Sequence, residues 1–187
     1  MTGTRARPSR APLDGDTDSD ADDSLAFTSA DPRVRALNDK PVATRAEYVL
    51  YWAQMTRRPD DNAALAYAVA RANDLGLPCV VYEAVRPDYP YASDRFHTFL
   101  LEGGRDMADG LKARGLAHAF FLPRTAAEAR GVVAKMAARA ALVVTDDHPV
   151  RFLAMQTEAA AKRAPCTFFV VDDAAGVPMS LFEKQEY

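Results

Sequence analysis

Five short apolar runs divide the chain into regular segments. They are rich in Val, Phe, Tyr and Leu and occupy residues 48–52, 78–83, 118–122, 140–145 and 166–172. A run that is apolar on both faces suits a strand that helices cover on both sides of a sheet. The pattern therefore predicts five buried strands, which we number predicted strands 1 to 5.

The stretches between these runs have apolar residues at helical spacing. They predict helices at residues 62–75, 93–114, 126–139 and 150–162. Short polar side chains stand at the predicted helix starts, where their oxygens can accept hydrogen bonds from the first turn: Asp61 or Asn62, Ser93 or Asp94, and Thr125. Gly76 stands just past the first helix, where a glycine often ends one.

Strands that alternate with helices favour a parallel sheet with helices on both faces. Right-handed crossovers leave few topologies. We therefore predict an α/β fold with a Rossmann-like, five-stranded parallel sheet in the order 3-2-1-4-5. Residues 31–38 are interpreted as a short lead-in, with about one helical turn. The domain prediction is a disordered acidic arm at residues 1–30, which contain six Asp, and one folded domain at residues 31–187.

Composition narrows the class of protein. The net charge is -3, without the basic excess that is usual in a DNA-binding domain. Cys79 and Cys166 stand in apolar runs and are interpreted as buried free thiols. The three histidines and two cysteines have no metal-ligand spacing, so no metal site is predicted. No apolar run is long enough to span a membrane, and we expect a soluble, cytoplasmic protein.

A candidate ligand site follows from the predicted strand order. The order reverses between strands 1 and 4, and ligands of open α/β sheets bind at such a switch point, beyond the carboxyl ends of the strands. The candidate residues follow strand 1 or strand 4, with one at the end of strand 2: Gln54, Met55, Arg57, Arg58, Asp146, Asp147 and Glu83. The flat forks of the arginines could pair with and stack on a planar, polar, partly anionic ring system. The alternative is that Arg57 pairs with Asp60 or Asp146 and only ties loops together.

The turn after strand 1 has no glycine fingerprint. It reads AQMTRRP at residues 53–59, and no phosphate-binding loop of the GxxxxGK[ST] type occurs in the chain. The sequence therefore does not support a tightly bound pyrophosphate at the following helix.

Five motifs in the same order resemble class II cyclobutane pyrimidine dimer photolyases. They are YWAQM at residues 51–55 with RR at 57–58 and DNAAL at 61–65, then ARAN at 70–73, SDRFHTF at 93–99, VVTDDHP at 143–149 and EKQEY at 183–187. The first strand of the fold carries the first of these motifs. One motif alone would be weak, whereas five in order are a specific signal.

The resemblance implies a function that this chain performs only in part. Such photolyases have an N-terminal α/β domain, which can house an antenna chromophore such as a deazaflavin or a reduced folate. A C-terminal helical domain binds the catalytic FAD and the damaged DNA. This chain stops at Tyr187, where family members continue into the helical domain, so we expect the FAD site and all catalytic residues to be absent. The resemblance thus predicts an isolated or truncated antenna domain, inactive alone, or one that docks onto a separately encoded helical half. A stand-alone nucleotide- or flavin-binding module is the alternative from another class.

Overall fold

The computed structural model describes residues 31–86 and 91–182. The predicted acidic arm at residues 1–30, the prolines Pro87 and Pro90 of one loop and the motif at residues 183–187 lie outside the described residues.

Six strands and five α-helices make up the described fold. The strands are β1 (Val34–Ala36), β2 (Tyr48–Ala53), β3 (Cys79–Ala84), β4 (Ala117–Phe121), β5 (Ala140–Asp147) and β6 (Thr167–Asp172). The helices are α1 (Ala63–Leu75), α2 (Asp94–Ala113), α3 (Ala126–Ala129), α4 (Val132–Ala137) and α5 (Arg151–Arg163), and a 3-10 turn follows at Met179–Leu181.

The sheet confirms the predicted α/β fold and adds one strand. Its order is β1-β6-β5-β2-β3-β4. Predicted strands 1 to 5 are β2 to β6, so the order 3-2-1-4-5 is confirmed, and these five strands are parallel. The extra strand β1 pairs antiparallel with β6. It corrects the helical turn predicted in the lead-in: three residues give too short a pattern, and pairing with the exposed edge of β6 decides their conformation.

Helices cover both faces of the sheet, as predicted. Alternate residues of a strand point to opposite faces, so neighbouring core residues pack in different layers. Tyr51 and Val144 belong to the core cluster that contains α1 and the second half of α2. Leu50 and Phe168 belong to the cluster that contains α4 and α5. Strand β2 is central between the two layers and places its exit loop in the middle of the sheet edge.

One predicted helix and one predicted loop differ in detail. The helix expected at residues 126–139 is two short helices, because Gly131 between α3 and α4 has a φ of +73°, a left-handed conformation that interrupts a helix. Asp146 and Asp147, expected in an exit loop, are the last two residues of β5.

Helix α2 extends beyond the carboxyl edge of the sheet. Its 20 residues span about 30 Å, whereas a strand of six residues spans about 20 Å. A Cβ added at Gly104 would lie 2.6 Å from the ring of Phe120, which is near the end of β4. The helix runs antiparallel to the strands beside it, so the ten residues before Gly104 overhang the ends of β3 and β4.

Candidate functional site

The loop after β2 is fastened to β5 by the buried carboxylate of Asp146. The backbone N–H of Gln54 donates to Asp146 Oδ1 at 3.0 Å, and that of Met55 donates to Oδ2 at 2.7 Å. The Tyr51 hydroxyl lies 3.5 Å from Oδ1. Burial, and secondarily the charge of Asp146, raises the pKa of Tyr51 well above its usual value, so this hydroxyl stays protonated. Asp146 thus holds the backbone at the switch point.

The side chain of Gln54 is also engaged within the chain. Its amide N–H groups donate to the hydroxyl oxygens of Thr145, at 3.0 Å, and of Thr157 on α5, at 2.8 Å. The Thr145 hydroxyl in turn donates to the Trp52 carbonyl at 2.7 Å. Gln54 therefore links β2, β5 and α5, and its amide nitrogen is committed to these two hydroxyls.

Arg57 and Glu83 form a network that joins the loop after β2 to β3 and β4. Arg57 donates from Nη1 to Glu83 Oε1 at 3.3 Å, from Nη2 to the Ala84 carbonyl at 2.9 Å and from Nε to the Gln54 carbonyl at 3.1 Å. The other carboxylate oxygen of Glu83 lies 3.2 Å from His118 Nε2 on β4. The Glu83 side chain has no exposed surface, so both of its oxygens face protein partners.

These contacts correct the alternative pairings considered for Arg57. Its acidic partner is Glu83, not Asp60 or Asp146. Asp60 pairs with Arg114 instead, and Asp146 accepts from the backbone. The interpretation of Arg57 as a residue that ties loops together nevertheless describes what its side chain does here.

The N-terminus of α1 is filled by side chains of this chain. Asn62 is the N-cap: its Oδ1 accepts from the Leu65 N–H at 2.8 Å. The carboxylate of Asp173, which follows β6, accepts from the Ala63 N–H at 3.2 Å. Arg58 Nη2 lies 3.9 Å from the other oxygen of Asp173. An anionic ligand at this helix end would meet the charge of Asp173.

The remaining candidate residues are more exposed. Met55 is 48% exposed. Arg58 donates from Nε and Nη2 to the Asp61 carbonyl, and just over half of its side chain remains exposed. Asp147 accepts from Arg35 Nη2 at 2.8 Å. The fold thus brings the candidate residues to one sheet edge, four of them committed to internal contacts and three at its surface.

Sequence reasoning missed the internal partners of this site. Thr157, His118 and Asp173 come from α5, β4 and the loop after β6, and nothing in their local sequence marks them. Thr145 gave a weak signal, as a polar residue at the end of an apolar run.

A cavity of about 370 Å³ lies at the exits of β3 and β4, beneath the overhang of α2. Its lining is mostly apolar, with His97 and Arg124 as the polar side chains. The six lining residues are Val85, His97, Leu101, Leu122, Pro123 and Arg124. These residues come from the exits of β3 and β4 and from α2. The sequence did not indicate this cavity, because the length of α2 beyond the sheet creates it.

Metal sites and membrane-spanning helices are both absent from the described residues. Residues 31–86 and 91–182 contain no group of His, Cys, Asp and Glu side chains arranged to hold a metal ion. The same residues include no helix that is both long and apolar enough to cross a membrane.

Solved structures with a similar arrangement include universal stress proteins. One from Burkholderia pseudomallei is 21% identical with a TM-score of 0.44, and the match covers 70% of this chain and 98% of that chain. One from Archaeoglobus fulgidus is 15% identical with a TM-score of 0.41, and the match covers 67% of this chain and 44% of that chain. No functional conclusion follows from similarity at this level.

Comparison of sequences gives a match of higher identity and a family. The chain is 40% identical over 84 residues to a deoxyribodipyrimidine photo-lyase from Methanothermobacter thermautotrophicus. The match covers 45% of this chain and 19% of that protein, so the matched segment spans about a fifth of the relative. Residues 49–186 match the family described as DNA photolyase. Since this match extends over more than half of the chain, the chain belongs to the DNA photolyase family.

Proposed function

We propose that this chain is the N-terminal α/β domain of a class II deoxyribodipyrimidine photolyase, where it binds an antenna chromophore and supports the flavin-binding part. The family match over residues 49–186 carries the proposal. In this function a helical part holds the FAD and the damaged DNA, and light-driven repair of pyrimidine dimers takes place there. The domain alone supplies no catalytic residue.

The chromophore is a deazaflavin or a reduced folate and lies at the carboxyl edge of the sheet. Of the predicted ligand residues, Met55 and Arg58 keep enough exposed surface to touch it: the thioether packs on a flat ring, and the guanidinium pairs with the ring's polar rim. The three N–H groups of Arg57 that are directed at Glu83 and two carbonyls are already used. Arg57, Glu83, Gln54 and Asp146 therefore shape the site and fix its backbone, while Asp147 lies at its outer side.

The cavity beneath α2 gives the chromophore an apolar neighbouring space. Leu101 and Leu122 offer apolar contact, and Arg124 offers positive charge. Pockets that are mostly apolar with a few polar groups are typical of sites for fused-ring ligands. We therefore place the ring system at the switch point, with one end in this cavity.

The filled N-terminus of α1 disfavours the alternative of a stand-alone nucleotide-binding module. Nucleotide sites of open α/β sheets usually place phosphate at the N-terminus of the first helix. Here Asn62 and Asp173 already accept from N–H groups of that turn. The negative charge of Asp173 would repel a phosphate.

A fluorescence titration with a deazaflavin and with a reduced folate tests this proposal. We expect one of them to bind the purified chain with a Kd in the micromolar range. The double variant Met55→Ala, Arg58→Ala should weaken binding about tenfold, which corresponds to ~1.4 kcal/mol of lost contact. Leu122→Trp, which fills the cavity, should weaken it as well. Leu75→Ala is the control, since Leu75 is exposed at the other end of α1.

The outcomes separate the parts of the proposal. Failure of both compounds to bind would contradict the antenna role. If Leu122→Trp loses binding and Met55→Ala, Arg58→Ala does not, the ligand site would be assigned to the cavity and not to the switch point. Repair of thymine dimers by the chain alone under near-UV light, with reduced FAD added, would contradict the division of labour between the two parts.

A further inference from the structure

Basic side chains are concentrated on one side of the sheet. Residues 126–139 and 151–163, which include α3, α4 and α5, contain six basic and two acidic residues. Residues 63–75 and 94–113, which form α1 and α2, contain four basic and five acidic residues. Helices α4 and α5 pack on the same core cluster beside Phe168 and contact each other. The excess of positive charge therefore belongs to the layer of α4 and α5.

Most of these charges lie near the ends of α4 and α5. Lys135 is in the last turn of α4, and Lys162 and Arg163 are in the last turn of α5. All three residues are exposed. The two helices lead into β5 and β6, which are neighbours in the sheet. Both helices therefore end at the amino edge of the sheet, over adjacent strands.

The segment of residues 40–47 brings two more basic residues to this edge. It crosses the amino ends of β5 and β6: the Ala43 N–H donates to the Ala141 carbonyl at 2.9 Å, and Lys40 Nζ donates to the Lys162 carbonyl at 3.1 Å. We call the resulting group of side chains the basic end: Lys40, Arg45, Lys135, Arg139, Lys162 and Arg163.

Most of the basic end has no carboxylate partner in the part of the chain that the structure describes. Arg139 pairs with Glu47. Four members form no ion pair within residues 31–86 and 91–182: Arg45, Lys135, Lys162 and Arg163. Cations at these positions complement the carbonyl ends of the two helices. Several exposed like charges at one edge nevertheless repel one another, and an anionic partner would reduce that repulsion.

A stretch of matching charge exists in the chain itself. Residues 14–23 contain six Asp and no basic residue, and we call them the acidic run. They belong to residues 1–30, whose net charge of -3 equals that of the whole chain, so the remaining residues are balanced. The acidic run is therefore opposite in sign to the basic end, and the folded part supplies no comparable net charge of its own.

The intervening chain is long enough for the acidic run to reach the basic end. Asp31 precedes β1 at the carboxyl end of β6, where the Asp172 N–H donates to the Arg33 carbonyl at 2.9 Å. The eight steps from Asp23 to Asp31 span up to about 26 Å of extended chain. Strand β6 has six residues and is about 20 Å long. The acidic run can therefore lie across the amino edge of β6 and β5.

We propose that the acidic run docks on the basic end and competes there with other polyanions, including DNA. Each exposed ion pair contributes little alone, but the tether gives the run an effective concentration in the millimolar range, so several weak pairs hold it in place. Salt screens such pairs, because the Debye length falls from about 10 Å at 0.1 M to about 3 Å at 1 M. The competition with DNA rests on the function proposed above, since that function brings the chain to DNA, whereas the docking itself does not.

Paramagnetic relaxation in NMR tests the docking in the full chain. Cys79 and Cys166 are buried, so a spin label added to the Ser19→Cys variant attaches at that position. At about 20 mM salt we expect the label to broaden the amide signals of Arg45 and Arg163 much more than those of α2. At about 500 mM salt the difference should disappear. Asp18→Asn, Asp20→Asn, Asp22→Asn should remove most of it at low salt.

Two triple variants with the same loss of charge provide the controls. Arg45→Gln, Lys162→Gln, Arg163→Gln should abolish the selective broadening. Arg95→Gln, Arg105→Gln, Lys112→Gln changes exposed positions of α2 and should leave it unchanged. The amide spectrum of each variant shows that it is folded.

Three outcomes would overturn the docking. The first is equal broadening of both helix layers in the wild-type sequence, and the second is unchanged broadening in the basic-end variant. The third is broadening of isotope-labelled chains by separate spin-labelled chains, because the contact would then join two copies.

Fluorescence anisotropy with a labelled DNA duplex tests the competition. At about 50 mM salt, Asp18→Asn, Asp20→Asn, Asp22→Asn should bind the duplex about threefold or more tightly than wild type. Addition of the three basic-end substitutions should abolish this gain, which separates competition at the basic end from general repulsion between the acidic run and DNA. No gain, or a gain that persists in the combined variant, would overturn the competition. The chromophore titration involves neither the acidic run nor the basic end, so its failure would contradict the proposed function alone.

Discussion

The switch-point crevice and the exposed phenylalanines in the first halves of α2 and α5 belong to the same carboxyl edge of the sheet, yet their side chains are used in opposite ways. In the crevice, Asp146, Arg57 and Glu83 direct their charged groups at partners within the chain. On α2 and α5, Phe99 and Phe152 expose 71% and 65% of their surface, and no described part of the chain covers them. The conspicuous charged residues thus build the edge, whereas these phenylalanines contribute little to it.

The contrast shows why residue type alone is a poor guide to function here. A buried charge requires partners, because an unpaired one costs several kcal/mol, so a charged motif at a strand end can be structural. An exposed phenylalanine contributes little to the stability of the folded domain, and burying its apolar surface against a partner is favourable. Variants of the two regions should therefore separate stability from binding.

Removal of Glu83 should have the largest effect on stability. Glu83→Ala leaves the Arg57 guanidinium without its carboxylate and opens a cavity beside His118. We expect a loss of about 3 kcal/mol in the free energy of unfolding, measured by urea denaturation. Glu47→Ala is the control: Glu47 also pairs with an arginine, Arg139, but in an exposed position, and its removal should leave the unfolding midpoint unchanged. Equal effects of the two variants would show that burial of the Glu83 pair does not matter.

Loss of the Asp146 carboxylate should have a somewhat smaller effect. Asp146→Ala leaves the N–H groups of Gln54 and Met55 without an acceptor at the buried end of the loop. We expect a loss of about 2 kcal/mol, the cost of leaving buried donors without an acceptor.

The neighbouring residue provides the control for Asp146. Asp147→Ala breaks only the partly exposed pair with Arg35 and should cost at most about 0.5 kcal/mol. A larger loss for Asp147 than for Asp146 would contradict the assignment of the crevice contacts.

Alkaline pH should weaken the core at the amino end of β3. Burial raises the pKa of Cys79 from 9.0 to about 12. Because the pKa of this thiol is higher in the folded chain, its contribution to the free energy of unfolding is fully present below pH 9. This contribution is lost as the pH rises from 9 towards 12, since the unfolded chain releases its proton first. At pH 10.5 the loss from this residue is about 2 kcal/mol.

The variant Cys79→Ala should show a shallower fall of unfolding free energy over the same pH range. The comparison uses slopes, so the small cavity that this variant creates does not affect the result. Tyr82, whose pKa burial also raises to about 12, keeps part of the slope in the variant. An identical slope in both proteins would show that Cys79 ionises as readily in the folded chain as in the unfolded one.

The sequence predicted most of the fold because its signals were strong and local. Apolar runs and the caps at Asn62, Ser93 and Thr125 identified the strand–helix alternation, and each of the three residues does cap its helix. Strand β1 was missed because three residues are too few to show a strand's alternation of apolar and polar positions. The break at Gly131 was missed because one glycine is compatible with a continuous helix.

The candidate site was predictable in position but not in the use of its residues. The switch-point rule placed the seven candidate residues at one sheet edge, where the structure has them. The roles depend on partners far away in sequence, such as Thr157 for Gln54 and His118 for Glu83. The exposure of Phe96 and Phe99 depends on how far α2 reaches past the sheet, a length relation between elements that no motif records.

Urea unfolding of a variant that lacks three exposed phenylalanines of α2 and α5 tests the central contrast most directly. We predict that Phe96→Ser, Phe99→Ser, Phe152→Ser unfolds within about 1 kcal/mol of the wild-type chain, since exposed positions contribute little to the folded state. Three large apolar side chains would then have been removed at a smaller cost than the single carboxylate of Glu83. A loss of about 3 kcal/mol or more would contradict the account, because it would mean that these phenylalanines belong to the core.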